Sequence, residues 1–245
     1  MAADRAEPCR EDSGDLWIFA YGSLMWRPDL PFAEAQRARL NGFHRSFCIY
    51  STHHRGQPQR PGLVLGLDRG GACDGMAYRI AAADREAVVG YLRQRELIYG
   101  VYREATVPVL LMGALHREVR ALAFIVERAH PAYAGALSLR EQVALIRGAW
   151  GVSGTNLDYL ANTVRHLAEL GIREPAIERL MVVAAPFLAR RPGAAATSPS
   201  AVALLRAWQR KSVDVRRIRP AEHRRFLYRM RLTDGSQRRV EGVGA

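Results

Sequence analysis

The chain has 245 residues, 49% of them hydrophobic, and a formal net charge of +12. That length and apolar content supply a substantial core, so the expected class is a soluble globular protein with one large domain, or one domain with an appendage. No stretch approaches the roughly 20 apolar residues of a membrane helix, and the opening MAADRAEPCREDSGD is polar and acidic, unlike a secretion signal; the expectation is a cytoplasmic protein with no membrane partner.

The charge is unevenly distributed. Residues 190–245 hold 14 of the 36 basic and 4 of the 24 acidic residues, which leaves the first 189 residues at only +2. The basicity therefore belongs to the tail. Lys211 is the single lysine, a bias that reads as coding composition more than as selection for phosphate contacts, since lysine serves well there too. Weak, salt-dependent contact of the tail with nucleic acid or another polyanion is one reading, and a solvated extension is the commoner one. Cys9, Cys48 and Cys73 are odd in number and far apart, with neither disulfide nor zinc spacing, and read as ordinary thiols, Cys48 in a buried strand.

In chain order, a polar segment (1–15) precedes a run of short β-rich stretches: WIFAY at 17–21, HRSFCIYS at 44–51, GLVLGLD at 62–68, GMAYRI at 75–80, then ATVPVLLM and VRALAFIV. HRGQPQRPG and DRGGACDG between them read as turns and loops. ADREAVVGYLRQREL has helical character, with Asp84 as N-cap and Val89, Leu92 and Glu96 on one face. Ser138 and Glu141 form a capping-box pattern opening SLREQVALIRGAW, with Gly151 closing it. Asn156 suits the N-cap of NLDYLANTVRHLAEL, which ends at Gly171, and Pro175 suits the first turn of a further helix. Strands first, helices afterwards and one helix between argue for α+β. Beyond Arg190, RPGAAATSPS reads as a linker and AVALLRAWQRK as a short helix in a loosely attached extension (190–245).

Chemistry has few candidates. FAYGSLM breaks from strand into a Gly-Ser step that fits neither the dinucleotide fingerprint nor the P-loop, so loop chemistry alone favours a turn whose glycine accepts positive φ over an anion-binding loop. Glu96 among Val89, Leu92, Leu97 and Ile98 faces desolvation that would raise its pKa toward the range useful for proton transfer; the alternative is an ion pair with Arg93 or Arg95, or a solvated helix end. His53, His54 and His116 lack metal-ligand spacing. Ser23 sits outside a GxSxG context and reads as a hydrogen-bonding hydroxyl more than as a nucleophile. Tyr91, Tyr99, Tyr102 and Tyr159 read individually as core, or as pocket walls.

Together, WIFAYGSLMWRPD (17–29), FCIYSTHHRG (47–56), PGLVLGLDRGGACDGMAYRI (61–80), YLRQRE (91–96) with GVYREATVPV (100–109), and GVSGTNLDYL (151–160) resemble, in the same order, the ChaC-like γ-glutamylcyclotransferases that act on glutathione. The resemblance spans roughly residues 16–185, within an expected domain at 16–189. It departs at Arg69, where the family often has proline, and in a longer interval from Glu96 to Gly-Val-Tyr, as in the bacterial branch. It implies a mixed β-barrel flanked by helices, with the site at one barrel end. The implied γ-glutamyl site is lined by Ile18, Phe19, Ala20, Tyr21, Gly22, Ser23 and Leu24, and the implied catalytic acid/base is Glu96. The implied reaction converts glutathione to 5-oxoproline and cysteinylglycine by attack of the substrate's own amine, with no metal or organic cofactor. A cyclotransferase for other γ-glutamyl amino acids or amines, and a non-catalytic binding or regulatory protein using the basic tail, are the competing readings. Oligomeric state is not legible in the sequence.

Overall fold

The computed structural model describes residues 14–187, apart from 98, 114 and 115. Five strands close into a barrel in the order β1-β3-β2-β4-β5. They are β1 (Leu16–Ala20), β2 (Glu34–Ser51), β3 (Gly62–Ile80), β4 (Tyr102–Leu111) and β5 (Arg117–Val126). β1 pairs antiparallel with β3 from Leu16↔Ile80 to Ala20↔Met76, and parallel with β5 at Trp17↔Ala121 and Ile18↔Leu122. The helix α1 (Arg85–Glu96) carries the chain from β3 to β4. The expected α+β barrel flanked by helices is thus the observed fold.

The period-2 pattern of β1 sorts its side chains into two cores. Trp17 and Phe19 join Ala38, Leu67, Ala77, Val109, Ala121 and Ala123 in a cluster built, Tyr21 apart, from strand residues, the barrel interior. The many alanines keep that interior narrow enough to fill with side chains. Ile18 and Ala20 face the other way, onto a larger cluster with Val88 and Leu92 of α1 and with residues of α2 (Leu139–Ile146), α3 (Asn156–Glu169) and α4 (Pro175–Ala184).

The strands are longer than their apolar runs suggest. DRGGACDG is no connecting loop; it lies inside β3, where Gly70 (φ +102°) and Gly71 (φ +68°) oppose Gly42 (φ +83°) of β2 at a register shift. Three residues free to take positive φ let the paired strands bend there without separating. HRGQPQRPG does form the connecting loop. Cys48 and Cys73 are buried free thiols, pushed up to about 12 and about 11 by burial.

The helix boundaries follow local chemistry. The Ser138 hydroxyl accepts from the Glu141 N–H (3.3 Å) and the Glu141 carboxylate from the Ser138 N–H (2.7 Å), the expected capping box. α2 ends at Ile146, however, and Gly151 belongs to a two-residue strand, β6 (Trp150–Gly151), paired with β7 (Gly154–Thr155). α3 ends in a Schellman motif: Gly171 at φ +67°, with Ile172 N–H on the Leu167 carbonyl and Gly171 N–H on that of Ala168. Pro175 opens α4 as expected. Asp84 precedes α1 without a side-chain cap. The sequence-based readings of Cys9 and of residues 190–245 lie outside the described residues.

Asn156 is not the cap of α3. Thr155 takes that place, its hydroxyl accepting from the Asp158 N–H at 3.2 Å. Asn156 is instead fully buried, and its amide accepts from the Leu63 N–H and donates to the Leu63 carbonyl, both at 2.6 Å. The reason lies in the barrel: β2 pairs with one edge of β3 over 62–68, and among the described residues no strand pairs with the other. Asn156 supplies Leu63 with the two bonds a neighbouring strand would make. A Cβ on Gly62 would lie 2.7 Å from the Asn156 Oδ1, so only glycine permits the approach. Asn156→Ala leaves a buried N–H and C=O unmet and is expected to lower stability by about 2–4 kcal/mol in urea denaturation; a loss below about 1 kcal/mol would show that these bonds contribute little.

Candidate active site

Beyond β1 the backbone leaves the sheet at Tyr21 and makes a single 3₁₀ turn, Ser23–Met25, closed by Met25 N–H on the Gly22 carbonyl (2.9 Å) and Arg27 N–H on that of Ser23 (2.7 Å). The Tyr78 hydroxyl donates to the Met25 carbonyl at 2.9 Å and ties the turn to β3. Gly22 has φ −124°, so the expectation of a positive-φ turn is corrected. A Cβ there would meet nothing nearer than Leu65 Cδ1, at 4.0 Å. The protein itself leaves room for a side chain at residue 22, and the open space lies over the backbone of the loop.

α1 aims its last residues at this loop. Val88 and Leu92 are buried against the barrel, and Glu96, four residues after Leu92, falls on the same face. Its side chain is 19% exposed. Arg95 Nε lies 3.1 Å from Glu96 Oε1, and the same guanidinium donates to Ser23 Oγ (3.0 Å), Tyr91 Oη (3.0 Å) and the Arg27 carbonyl (3.2 Å). One arginine thus ties the carboxylate to the Gly-Ser loop. Arg93 turns away to Glu104, at 2.6 and 3.0 Å.

Burial raises the Glu96 carboxyl above the ordinary glutamate range, and the positive charge and hydrogen bond of Arg95 pull it back only in part. The last-turn carbonyls of α1 carry partial negative charge and also disfavour an anion at this end. Both alternatives read from the sequence hold together: Glu96 is desolvated, and it is paired with Arg95. Ile98 lies outside the described residues.

Three phenols feel the Glu96 charge: Tyr21, Tyr102 and Tyr159. All are raised chiefly by burial, Tyr159 to about 12, and stay neutral at neutral pH. The Tyr102 hydroxyl donates to the Leu65 carbonyl at 2.7 Å and Tyr159 Oη accepts from the Leu65 N–H at 3.5 Å, again on the strand-free edge of β3. Arg55 lies over the Tyr159 ring, 5.2 Å from its centroid, and donates to the carbonyls of Ser153 and Thr155.

Of the residues expected to line the site, Ser23 is bonded to Arg95, which pairs with Glu96, and Gly22 precedes Ser23 in the loop. Tyr21 and Leu24 are buried at the loop's two ends, and Ile18, Phe19 and Ala20 form the core beneath it, each 1% exposed. Their side chains support the loop. Sequence reasoning missed Arg45, whose Nε donates to the Tyr21 carbonyl, and left Tyr102 and Tyr159 open between core and pocket wall, whereas Arg95 was read as a possible partner of Glu96; the GVYREATVPV and NLDYL segments carried a signal for the two tyrosines. Tyr99 is 49% exposed, and His53 and His54 sit near it on an exposed loop.

Residues 16–185 match the ChaC-like protein family. The chain belongs to that family. Among the relatives of this ChaC-like chain, the glutathione-specific γ-glutamylcyclotransferase of Escherichia coli K12 is 38% identical over 181 residues, covering 74% of this chain and 78% of that protein. Human glutathione-specific γ-glutamylcyclotransferase 1 is 34% identical, over 61% of this chain and 68% of that one. The crystal structure of a γ-glutamylcyclotransferase specific to glutathione from yeast shares the fold, with a TM-score of 0.62 at 22% identity, covering 71% of this chain and 99% of that one. No helix among the described residues is long and apolar enough to cross a membrane.

In a carbon-detected NMR titration, the Glu96 carboxylate is expected to titrate above the range of exposed glutamates, and still higher in Arg95→Gln, because the cation that favours the anion is gone. A downward shift in that variant would overturn the electrostatic assignment.

Proposed function

We propose that this chain is a glutathione-specific γ-glutamylcyclotransferase and that Glu96 is its catalytic acid and base. The observation that carries the reading is a carboxyl group raised by burial and tied through Arg95 to the Ser23 hydroxyl, next to the open backbone at Gly22. The names and identities of the Escherichia coli and human relatives support glutathione as the substrate.

The chemistry follows from the substrate. The α-ammonium of the γ-glutamyl group cannot attack while protonated, so the Glu96 carboxylate first removes a proton. The freed amine nitrogen adds to the γ-carbonyl carbon and the carbonyl electrons move to oxygen. Collapse of that oxyanion breaks the bond to the cysteine nitrogen, which takes its proton from the Glu96 carboxylic acid. The regenerated carboxylate then takes the second proton from the ring nitrogen, leaving the neutral lactam, and passes it to the released amine, which departs as an ammonium. The products are 5-oxoproline and cysteinylglycine. Nucleophile and electrophile are parts of one molecule, and such intramolecular reactions reach effective molarities of about 10⁵ M or more when well oriented. A raised pKa suits a group that must both accept and return a proton near neutrality.

In this reading the loop N–H groups at 22–24 face the substrate's carboxylate or the developing oxyanion. Gly22 keeps the backbone within reach of them, since a Cβ would stand in the space a ligand needs. Ser23 keeps a hydroxyl proton to donate while its oxygen accepts from Arg95.

Mass-spectrometric detection of 5-oxoproline and cysteinylglycine from purified protein and glutathione tests the reading. γ-Glutamylalanine as comparison substrate distinguishes it from a broader γ-glutamyl specificity. Glu96→Gln is expected to lower kcat about 10²- to 10⁴-fold with an unchanged thermal melt, and near-normal turnover would remove Glu96 from the mechanism. Gly22→Ala is expected to fold normally and raise KM for glutathione; a variant that unfolds instead would make the glycine structural.

A further inference from the structure

Arg45 is an anomaly of the β2 strand: an arginine 3% exposed, whose side chain is wholly out of water. Its guanidinium lies beneath the 21–24 loop and divides its donors among three acceptors. Nε donates to the Tyr21 carbonyl, Nη1 pairs with the Glu174 carboxylate at the start of α4, and Nη2 donates to the Asp74 carbonyl of β3 at 2.6 Å. Nη2 also lies 3.7 Å from Met25 Sδ in the 3₁₀ turn. A charge buried in this way costs far more than an apolar side chain of the same volume, so stability alone gives no reason for an arginine here.

The Tyr21 bond supplies one. Among the described residues every peptide bond is trans, and in a planar trans peptide the C=O and N–H point in opposite directions. By holding the Tyr21 carbonyl, Arg45 turns the Gly22 N–H away from the buried guanidinium, on the residue whose missing Cβ leaves open space. A donated bond from a full cation also polarises the peptide and makes that N–H a stronger donor. Among the described residues the Gly22 N–H has no protein acceptor, whereas its carbonyl is committed to Met25.

We infer that Arg45 is a positioning residue: it sets the plane of the Tyr21–Gly22 peptide so that the Gly22 N–H meets the oxyanion formed on the γ-carbonyl. The inference rests on the cyclotransferase reading above and adds to it the group that orients the donor. Glu174, 129 residues away in sequence, neutralises Arg45 and so links α4 to the loop. Lysine cannot replace the arginine, because an ammonium lacks the planar fork that reaches the three acceptors in fixed directions.

The test compares wild type, Arg45→Lys and Val143→Ala, the last a core truncation under α2 that controls for lost stability. In Arg45→Lys the Tyr21 carbonyl ¹³C and Gly22 amide ¹⁵N shifts move, and kcat for glutathione falls by about tenfold or more while KM changes less than about threefold. Val143→Ala lowers the melting temperature and leaves both kinetic constants of the folded enzyme unchanged. Unmoved shifts, or a kcat loss no larger than in Val143→Ala, overturns the inference. Should Arg45→Lys fail to fold, the wild-type protein decides: a slowly exchanging Arg45 Nε–H with scalar coupling to the Tyr21 carbonyl is expected, and its absence overturns the assignment. A wild type that releases no 5-oxoproline from any γ-glutamyl compound refutes the cyclotransferase reading instead, and the two shifts still report whether Arg45 holds the peptide.

Discussion

The barrel closes through five residues. β1 is the only element hydrogen-bonded to both β3 and β5, among the described residues, and its pairing with β5 is parallel and rests on two positions. Its side chains therefore carry much of the closure: Trp17 and Phe19 fill the inside while Ile18 and Ala20 seat the helical layer outside. A strand so short and so constrained fixes the place at which the chain leaves the sheet. The 21–24 loop starts from that place, and the strand thereby sets where the backbone proposed to hold the substrate stands.

The loop rises over a gap. β3 continues past the end of β1, and among the described residues its 62–68 segment has one edge without a strand. Water could satisfy that edge, but the surrounding core excludes it, so side chains do so instead: Asn156 at Leu63, Tyr102 and Tyr159 at Leu65. These groups come from two elements, α3 and β4, and converge on the side where Glu96 ends α1. The barrel's unfinished edge thus lies beside the candidate site, and two of the residues that complete the sheet, Tyr102 and Tyr159, are close enough to feel the Glu96 charge.

The sequence carried the elements better than their extents. β-rich runs marked part of every barrel strand, and capping chemistry marked α2, the end of α3 and the start of α4, because those signals are local. The joining of GLVLGLD to GMAYRI was hidden, since DRGGACDG is turn chemistry in isolation and becomes strand only when β2 bends beside it. Asn156 read as a cap for the same reason: a free asparagine at a helix start is a cap unless a distant backbone claims its amide. Glu96 stood out by its apolar neighbours. Arg45 did not, because HRSFCIYS gives no hint that its arginine points beneath a loop rather than into solvent.

Two opposite charges flank the loop, and they are treated differently. Arg45 is out of water, but its donors reach a carboxylate and two carbonyls, so its charge is fixed and its geometry is rigid. Glu96 is also largely buried, yet it has one cation beside it, shared with Ser23, Tyr91 and Arg27, and its carboxyl stays raised. Full pairing makes a group structural, because any change in protonation would forfeit several bonds together. Partial pairing leaves burial the larger influence on the Glu96 carboxyl and keeps it above the ordinary glutamate range, the direction that suits a group proposed to accept and return a proton. The same contrast supports the two proposed roles without reference to any relative: the fully paired charge suits a group that holds a backbone still, and the underpaired one suits a group that exchanges a proton.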